Sequence, residues 1–402
     1  MTVADATYRF QSPAQLIVGD GASERAGSLL ESWDVAHDSV IALVADADVL
    51  ELGLAKAILA SLEASGYRTE VFACTPGEPK LEGVNEAVSS LRSMKPAACV
   101  GLGGGSTLDV AKLAAALTRN PGGVPEFIGV SKVRLPSIPT IMVPTTAGTG
   151  SEATQVAMLS IDGKKVAAAS SPLMARAAIL DPDLTIGLPR NVTAASGLDA
   201  LAHSFESFLS TTANSSTEGA SLHGASLIAS SIRASVTTGN DRAVRTMMLT
   251  GAYWAGLALN AGVVLGHSIA YTIANRTGLP HGVTCAMALP YCLAYNEKPS
   301  SAKIERLAGV LREQIGMARG EDFDPTGIYN WLVDLERDLG VPASLAAVGL
   351  TRKDLPAMVS ECLDSYPRAN NPAPFDHEAL TRLYDYLFDG DVHGCDALFR
   401  KL

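Results

Sequence analysis

Two hydrophobic rhythms alternate along the first part of the chain. Short runs rich in strand-forming residues, "SVIALVAD" (39–46), "RTEVFA" (68–73) and "AACVGLG" (97–103), are separated by "LAKAILASLEASG" (54–66) and "LEGVNEAVSSLRSM" (81–94), whose apolar positions recur at helical spacing. The runs predict strands and the spaced segments predict amphipathic helices, so the alternation implies a parallel sheet with helices on its faces. After Leu188-Pro189 the rhythm changes. Long Ala/Leu-rich helical patterns, such as 217–235, 242–260 and 302–315, are separated by Gly, Pro and Asn, with hardly any strand. The predicted architecture is an α/β domain over 1–187 followed by an all-α domain over 188–402. There is no internal repeat or low-complexity linker, so the two are expected to pack together, with a cleft between them as the ligand site.

Composition narrows the picture without changing it. A chain of 402 residues exceeds what one core usually serves, and 47% hydrophobic residues with only 5% aromatics and 36 glycines suit tightly packed helices and α/β layers. The net charge of −11, with no basic run, repels a phosphate backbone, so no nucleic-acid partner is expected. The start, "MTVADATYRF", lacks a basic segment followed by an apolar core, and no stretch has the roughly 18 uninterrupted apolar residues of a membrane span. The expectation is a soluble, cytoplasmic protein without a membrane partner. Six cysteines without a CxxC pair are expected to be buried, reduced thiols.

Candidate chemistry falls in both halves. "VGLGGGSTLDVAK" places Gly103, Gly104, Gly105 and Ser106 directly after a strand and ahead of a helix opening at about Thr107. Backbone amides at such a turn approach a pyrophosphate closely; the alternative is a turn that is merely tight. The spacing fits neither GxGxxG nor the P-loop. A second strand, 140–143, runs into "PTTAGTGSEAT", where Thr145, Thr146, Thr149 and Ser151 offer hydroxyls to phosphate or ribose. Two such loops at strand carboxyl ends predict a nucleotide crevice. Asp46 ends the strand "ALVAD", where an acid either accepts from a ribose 2′-hydroxyl, favouring NAD over NADP, or serves only as a turn residue. In the second half, "LDALAHSFES" carries Asp199 and His203 on one helical face, and "VLGHSIAYTIANRTGLPHGVT" carries His267 and His281 on either side of a Gly-Leu-Pro break. If the helices bring them together they make a mixed N/O donor set suited to Fe²⁺, Zn²⁺, Mn²⁺ or Co²⁺; each pair alone is more often a set of ordinary polar residues.

"GGGSTLDVAK", "PTTAGTGSEAT", "GLDALAHSFES" and "HSIAYTIANRTGLPHG" resemble, in order and spacing, the iron-containing (group III) alcohol dehydrogenase family of the dehydroquinate synthase-like superfamily. The resemblance runs from about Phe10 to the C-terminal helices. It implies an N-terminal Rossmann-like NAD(P)-binding domain, an all-α C-terminal metal-binding domain, and usually a homodimer. Carried over by position, Asp199, His203, His267 and His281 look like the metal ligands, and Gly103 to Ser106 resemble the pyrophosphate loop, with Asp109 in its pattern. Thr145, Thr146, Thr149 and Ser151 look like nucleotide contacts, Lys164 or Lys165 matches a lysine region near the cofactor, and Asp46 falls where NAD-preferring members carry an acid.

One position departs from the family. Many members carry a second histidine, implicated in proton transfer, where this chain has Tyr271. Tyr271 is expected to shape the substrate pocket or to relay a proton through its hydroxyl. Arg276 lies between two presumed ligands and either pairs with an anionic substrate group or is a surface or capping arginine. The expected activity is hydride transfer between NAD(H) and a small alcohol or aldehyde, neutral or anionic, with Fe²⁺ or Zn²⁺ as cofactor. The alternatives are a metal-free maleylacetate-reductase-like enzyme, a dehydroquinate-synthase-like lyase and a non-catalytic NAD-binding protein.

Overall fold

The computed structural model describes residues 7–316 and 324–401, which divide into two compact units. The first holds Gln11–Gly187 together with Asn240–Leu257; the second holds, of the described residues, 7–10, 188–239, 258–316 and 324–401.

The first unit contains strands β1 (Gln15–Val18), β2 (Val40–Asp46), β3 (Arg68–Cys74), β4 (Ala98–Gly103), β5 (Gly129–Val130), β6 (Thr140–Pro144), β7 (Val156–Ile161), β8 (Lys164–Ala169) and β9 (Ala177–Leu180). Its helices are α1 (Ala26–Ser32), α2 (Ala47–Glu51), α3 (Lys56–Ala64), α4 (Leu81–Met94) and α5 (Gly105–Leu117). Six strands form one sheet in the order β1-β9-β6-β4-β2-β3, with every neighbouring pair parallel. The inner strands β4 and β6 are buried throughout, which is why their sequences read as continuous apolar runs. Alternate residues of β2 feed two cores: Ala42 and Val44 face one side of the sheet, and Ile41, Leu43 and Ala45 the other. The chain passes from β2 to the edge strand β3 and returns to β4 on the far side of β2, so the strand order reverses between β2 and β4. In an open parallel sheet, ligands bind at the strand carboxyl ends beside such a reversal. Asp46 and Gly103 end those two strands.

A second sheet, β5-β8-β7, has no counterpart in the helix-strand alternation read from the sequence. β7 and β8 form an antiparallel hairpin turned at Asp162 and Gly163, both with positive φ (51° and 73°), as a tight hairpin turn requires. Helix α8 (Arg242–Ala258) lies almost wholly in the first unit, although the helical half of the sequence encodes it. Its seat is a pair of glycines: a Cβ on Gly150 would come within 2.5 Å of the Gly256 Cα, so backbone packs directly on backbone.

The second unit is helical: α6 (Arg190–Leu209), α7 (Ser215–Thr237), α9 (Leu265–Thr277), α10 (His281–Val310), α11 (Thr326–Leu339), α12 (Leu355–Ser365), α13 (His377–Asp389) and α14 (Val392–Phe399). Helix α6 packs on α7 and α10, and α10 packs on α9 and α14. Among the described residues, no single helix is long and apolar enough to cross a membrane.

Candidate functional site

The four metal-ligand candidates lie within the helical unit. Asp199 and His203 share one face of α6, and His267 sits in the first turn of α9. Helix α9 stops at Gly278, whose φ of 68° is left-handed; Leu279 and Pro280 bridge the gap, and His281 is the first residue of α10. Gly282 then allows a close crossing, because a Cβ there would meet the Ala195 carbonyl oxygen at 1.8 Å and the Asp199 Cβ at 3.1 Å. The bare backbone brings His281 against Asp199.

The resulting geometry converges on one oxygen. Asp199 Oδ1 lies 3.7 Å from His203 Nε2, 3.8 Å from His267 Nε2 and 3.8 Å from His281 Nε2. These separations are too long for hydrogen bonds, and this buried oxygen accepts none. An orphaned buried carboxylate oxygen is costly unless a cation sits among the surrounding nitrogens. The donor set therefore fits a divalent ion of the Fe²⁺ or Zn²⁺ type. Burial alone would raise the Asp199 pKa, but His203, His281 and His267, aided by the Cys285 thiol, hold it below the ordinary carboxylate value.

Glu206, one turn beyond His203, orients the cluster. It is fully buried, and its Oε1 accepts from His267 Nδ1 at 2.6 Å, while Oε2 accepts the backbone amides of Val264 at 3.0 Å and His267 at 3.1 Å. A carboxylate accepts only, so the ring proton resides on Nδ1 and the Nε2 lone pair faces Asp199. Gly266 makes room for this, since a Cβ there would sit 2.6 Å from Glu206 Oε1. His203 and His267 stack with ring centroids 4.9 Å apart.

Tyr271 lies flat on His281, with ring centroids 5.1 Å apart, and tilts against Tyr366 at 4.8 Å. Burial pushes its phenol further above the ordinary value, with the Arg368 charge opposing. A phenol held protonated is a weak proton acceptor near neutrality, so the packing favours a wall of the site over a relay. Arg276 pairs with Glu361 and donates to the Thr272 carbonyl at 3.0 Å, so its charge is neutralised within the helical unit. Arg368 differs: its Nε is buried with no hydrogen-bond partner.

In the first unit, Gly103 and Pro144 are paired neighbours, so the two polar loops leave the sheet side by side. Helix α5 begins at Gly105, two residues before the expected start. Gly104 is its cap, with no side-chain hydrogen bond, which leaves the first amides of the helix available to an anion. Gly105 lets the loops touch, because a Cβ would meet Thr149 Oγ1 at 2.3 Å, and Thr146 lies beside Gly104. Thr145 is buried, Ser106 and Thr146 are half-buried, and Thr149 is exposed. Asp46 caps α2, accepting from the Asp48 amide at 2.8 Å.

Asp109 and Ser151 are engaged inside the fold. Ser151 Oγ donates to Asp109 Oδ1 at 2.5 Å, the Met158 amide donates to Oδ2 at 3.0 Å, and Lys112 Nζ lies 3.1 Å from Oδ1. They brace the two loops together. Lys164 is exposed at the start of β8, and Lys165 lies 3.8 Å from Glu78. The lysine at the centre of the loops is Lys112, which donates to the Ser151 carbonyl at 2.9 Å, to Thr154 Oγ1 at 3.1 Å and to the Val156 carbonyl. Sequence reasoning passed over Lys112, Glu206, Cys285 and Arg368. Two of them carried a signal: Glu206 continues the Asp199–His203 face of α6, and Cys285 stands four residues after His281.

Loops of glycine and threonine at a parallel sheet's carboxyl edge and helices that gather an aspartate with three histidines are the parts of a nucleotide- and metal-using enzyme, and the family that the chain matches makes its class an oxidoreductase of the alcohol and aldehyde type. The chain belongs to the iron-containing alcohol dehydrogenase family. Residues 13–182 match the family described as "Iron-containing alcohol dehydrogenase", and residues 193–388 match "Fe-containing alcohol dehydrogenase family, C-terminal". Long-chain-alcohol dehydrogenase 1 of Geobacillus thermodenitrificans is 32% identical over 383 residues, covering 93% of this chain and 95% of that protein. Among solved structures, 1,3-propanediol oxidoreductase superposes with a TM-score of 0.87 at 26% identity, covering 95% of this chain and 100% of that one. Sulfoacetaldehyde reductase from Bifidobacterium kashiwanohense, in complex with NAD⁺, gives 0.84 at 25% identity, covering 95% and 99%. The protein is an oxidoreductase acting on CH–OH groups.

Proposed function

We propose that this protein is an NAD-dependent, divalent-metal-dependent alcohol dehydrogenase/aldehyde reductase for a small alcohol or aldehyde. The observation that carries the reading is the buried Asp199 Oδ1, which accepts no hydrogen bond and faces three imidazole nitrogens. Asp199, His203, His267 and His281 are the residues that would hold the ion. When bound, a divalent ion supplies Lewis acidity, which lowers the pKa of an alcohol and polarises a carbonyl, and NAD supplies the hydride acceptor.

The chain's own groups do the rest. Glu206 holds the His267 ring by its Nδ1 and so aims Nε2 at the cluster. The uncapped amides at the start of α5 and the adjoining Thr146 hydroxyl favour a pyrophosphate, and the Asp46 carboxylate favours a ribose 2′-hydroxyl over a 2′-phosphate. Tyr271 forms an aromatic wall against His281 and excludes water. An anionic aldehyde is a variant of the same reading: with Arg276 paired to Glu361, the guanidinium suited to the anion is that of Arg368, whose charge reaches the Tyr271 phenol.

The test is anaerobic reconstitution of metal-stripped protein with Fe²⁺, Zn²⁺ or Mn²⁺, following NADH consumption against neutral and anionic short aldehydes. Metal-dependent, stoichiometric NADH oxidation is expected. Full activity without metal would replace this reading with a maleylacetate-reductase-like one. Turnover without net NADH consumption would replace it with a lyase.

A further inference from the structure

On helix α10 Cys285 follows His281 by one turn, so the two side chains share a face. Cys285 is fully buried, and its Sγ lies 3.5 Å from His281 Nε2 and 3.7 Å from His267 Nε2. One donor atom each from Asp199, His267, His281 and Cys285 falls within 4.8 Å of all the others. Zn–S bonds of about 2.3 Å and Zn–N bonds of about 2.0–2.1 Å place sulfur and nitrogen about 3.1–3.8 Å apart for angles of about 90–120° at the ion, the range a five-donor sphere spans. Both sulfur-to-nitrogen distances, 3.5 Å and 3.7 Å, fall within it.

We propose that Cys285 is a thiolate donor to the divalent ion held at this site, turning a nitrogen-and-oxygen set into one that includes sulfur. The inference rests on the reading that the aspartate-histidine cluster holds a metal, and adds a ligand to it. Two observations support it: the sulfur stands at ligand separation from two imidazoles and within 4.8 Å of an Asp199 ligand atom, and Asp199 Oδ1 beside it is an orphaned buried acceptor that calls for a cation. On ligation the S–H proton leaves to solvent as the S–metal bond forms, with no change of oxidation state. A thiolate is the softest donor of the cluster, so it biases the site towards Zn²⁺ over Fe²⁺.

Co²⁺ titration of the metal-stripped full-length protein tests this by absorption spectroscopy. Visible ligand-field bands report that the ion is bound, and a near-ultraviolet thiolate-to-cobalt charge-transfer band reports sulfur in its coordination sphere. Wild type is expected to show both. Cys285→Ser and Cys285→Ala are expected to keep visible bands and lose the charge-transfer band, whereas Cys292→Ser, on the same helix, keeps both. Visible bands in wild type without charge transfer, or a charge-transfer band surviving Cys285→Ser, would overturn the proposal and leave the metal reading standing. No cobalt binding at all would overturn both.

Discussion

Glu206 touches no solvent, and its two oxygens serve one imidazole and two backbone amides. Its carboxylate fixes the His267 tautomer, so its charge matters as much as its shape. In Glu206→Gln the volume is kept and the anionic acceptor is lost. Metal affinity is expected to fall by about 10–100-fold, read by competition against a chromophoric chelator. If the residue were purely structural, thermal stability would fall with affinity unchanged. The spacing Asp199, His203, Glu206 on α6 was legible in the sequence as one helical face. That Glu206 turns to α9 was not, because a helical pattern specifies which face is buried and leaves open which neighbour it meets.

At the scale of elements, the site depends on how closely α10 crosses α6. Gly282 permits the crossing without strain in its own backbone, since the restriction is the Ala195 carbonyl 1.8 Å from where a Cβ would lie. Gly282→Ala must push the start of α10 away and carry His281 with it. A loss of about 1–3 kcal/mol in unfolding free energy is expected from overpacking, together with weakened metal binding, checked by denaturant melts with and without added metal. Unchanged metal affinity in a destabilised variant would show that His281 is dispensable to the ion. The Gly-Leu-Pro break before His281 predicted the helix start; the need for glycine immediately after it came from a partner far away in sequence.

At the scale of the whole molecule, the brace between the two loops of the α/β unit links stability to pH. Glu152 is buried beside Lys112 and Asp109, and burial raises its pKa to about 7, with the Lys112 charge opposing and the Asp109 charge adding to the rise. Burial lowers the Lys112 pKa, against the pull of Asp109. Between an unfolded-state pKa near 4.5 and a folded one of about 7, the folded protein keeps a proton that the unfolded chain has released. Stability from this group therefore falls as pH rises through that window and is flat above it. In Glu152→Gln that component is absent, so the stability difference between wild type and variant should change across the window and level off on either side. A pH-independent difference in urea unfolding would refute the assignment.

The order of strands and helices was written in hydrophobic periodicity, because burial on two faces of a sheet or one face of a helix imposes its own spacing on the chain. The loops at 103–106 and 145–151, and the pairing of Asp199 with His203, were legible for the same reason: they depend on neighbours within a turn or two. The sequence alone did not reveal the hairpin of β7 and β8, the inclusion of α8 in the α/β unit, the bracing roles of Asp109 and Ser151, or the Arg276–Glu361 pair. The hairpin is local, turned at Asp162 and Gly163, and was hidden by the helix-strand alternation around it; the others are settled by contact between segments distant in the chain, where propensity is silent and packing decides. Cys285 is the sharpest case: as one of six scattered thiols it read as inert core, and only the crossing of α6, α9 and α10 sets its sulfur beside two imidazoles.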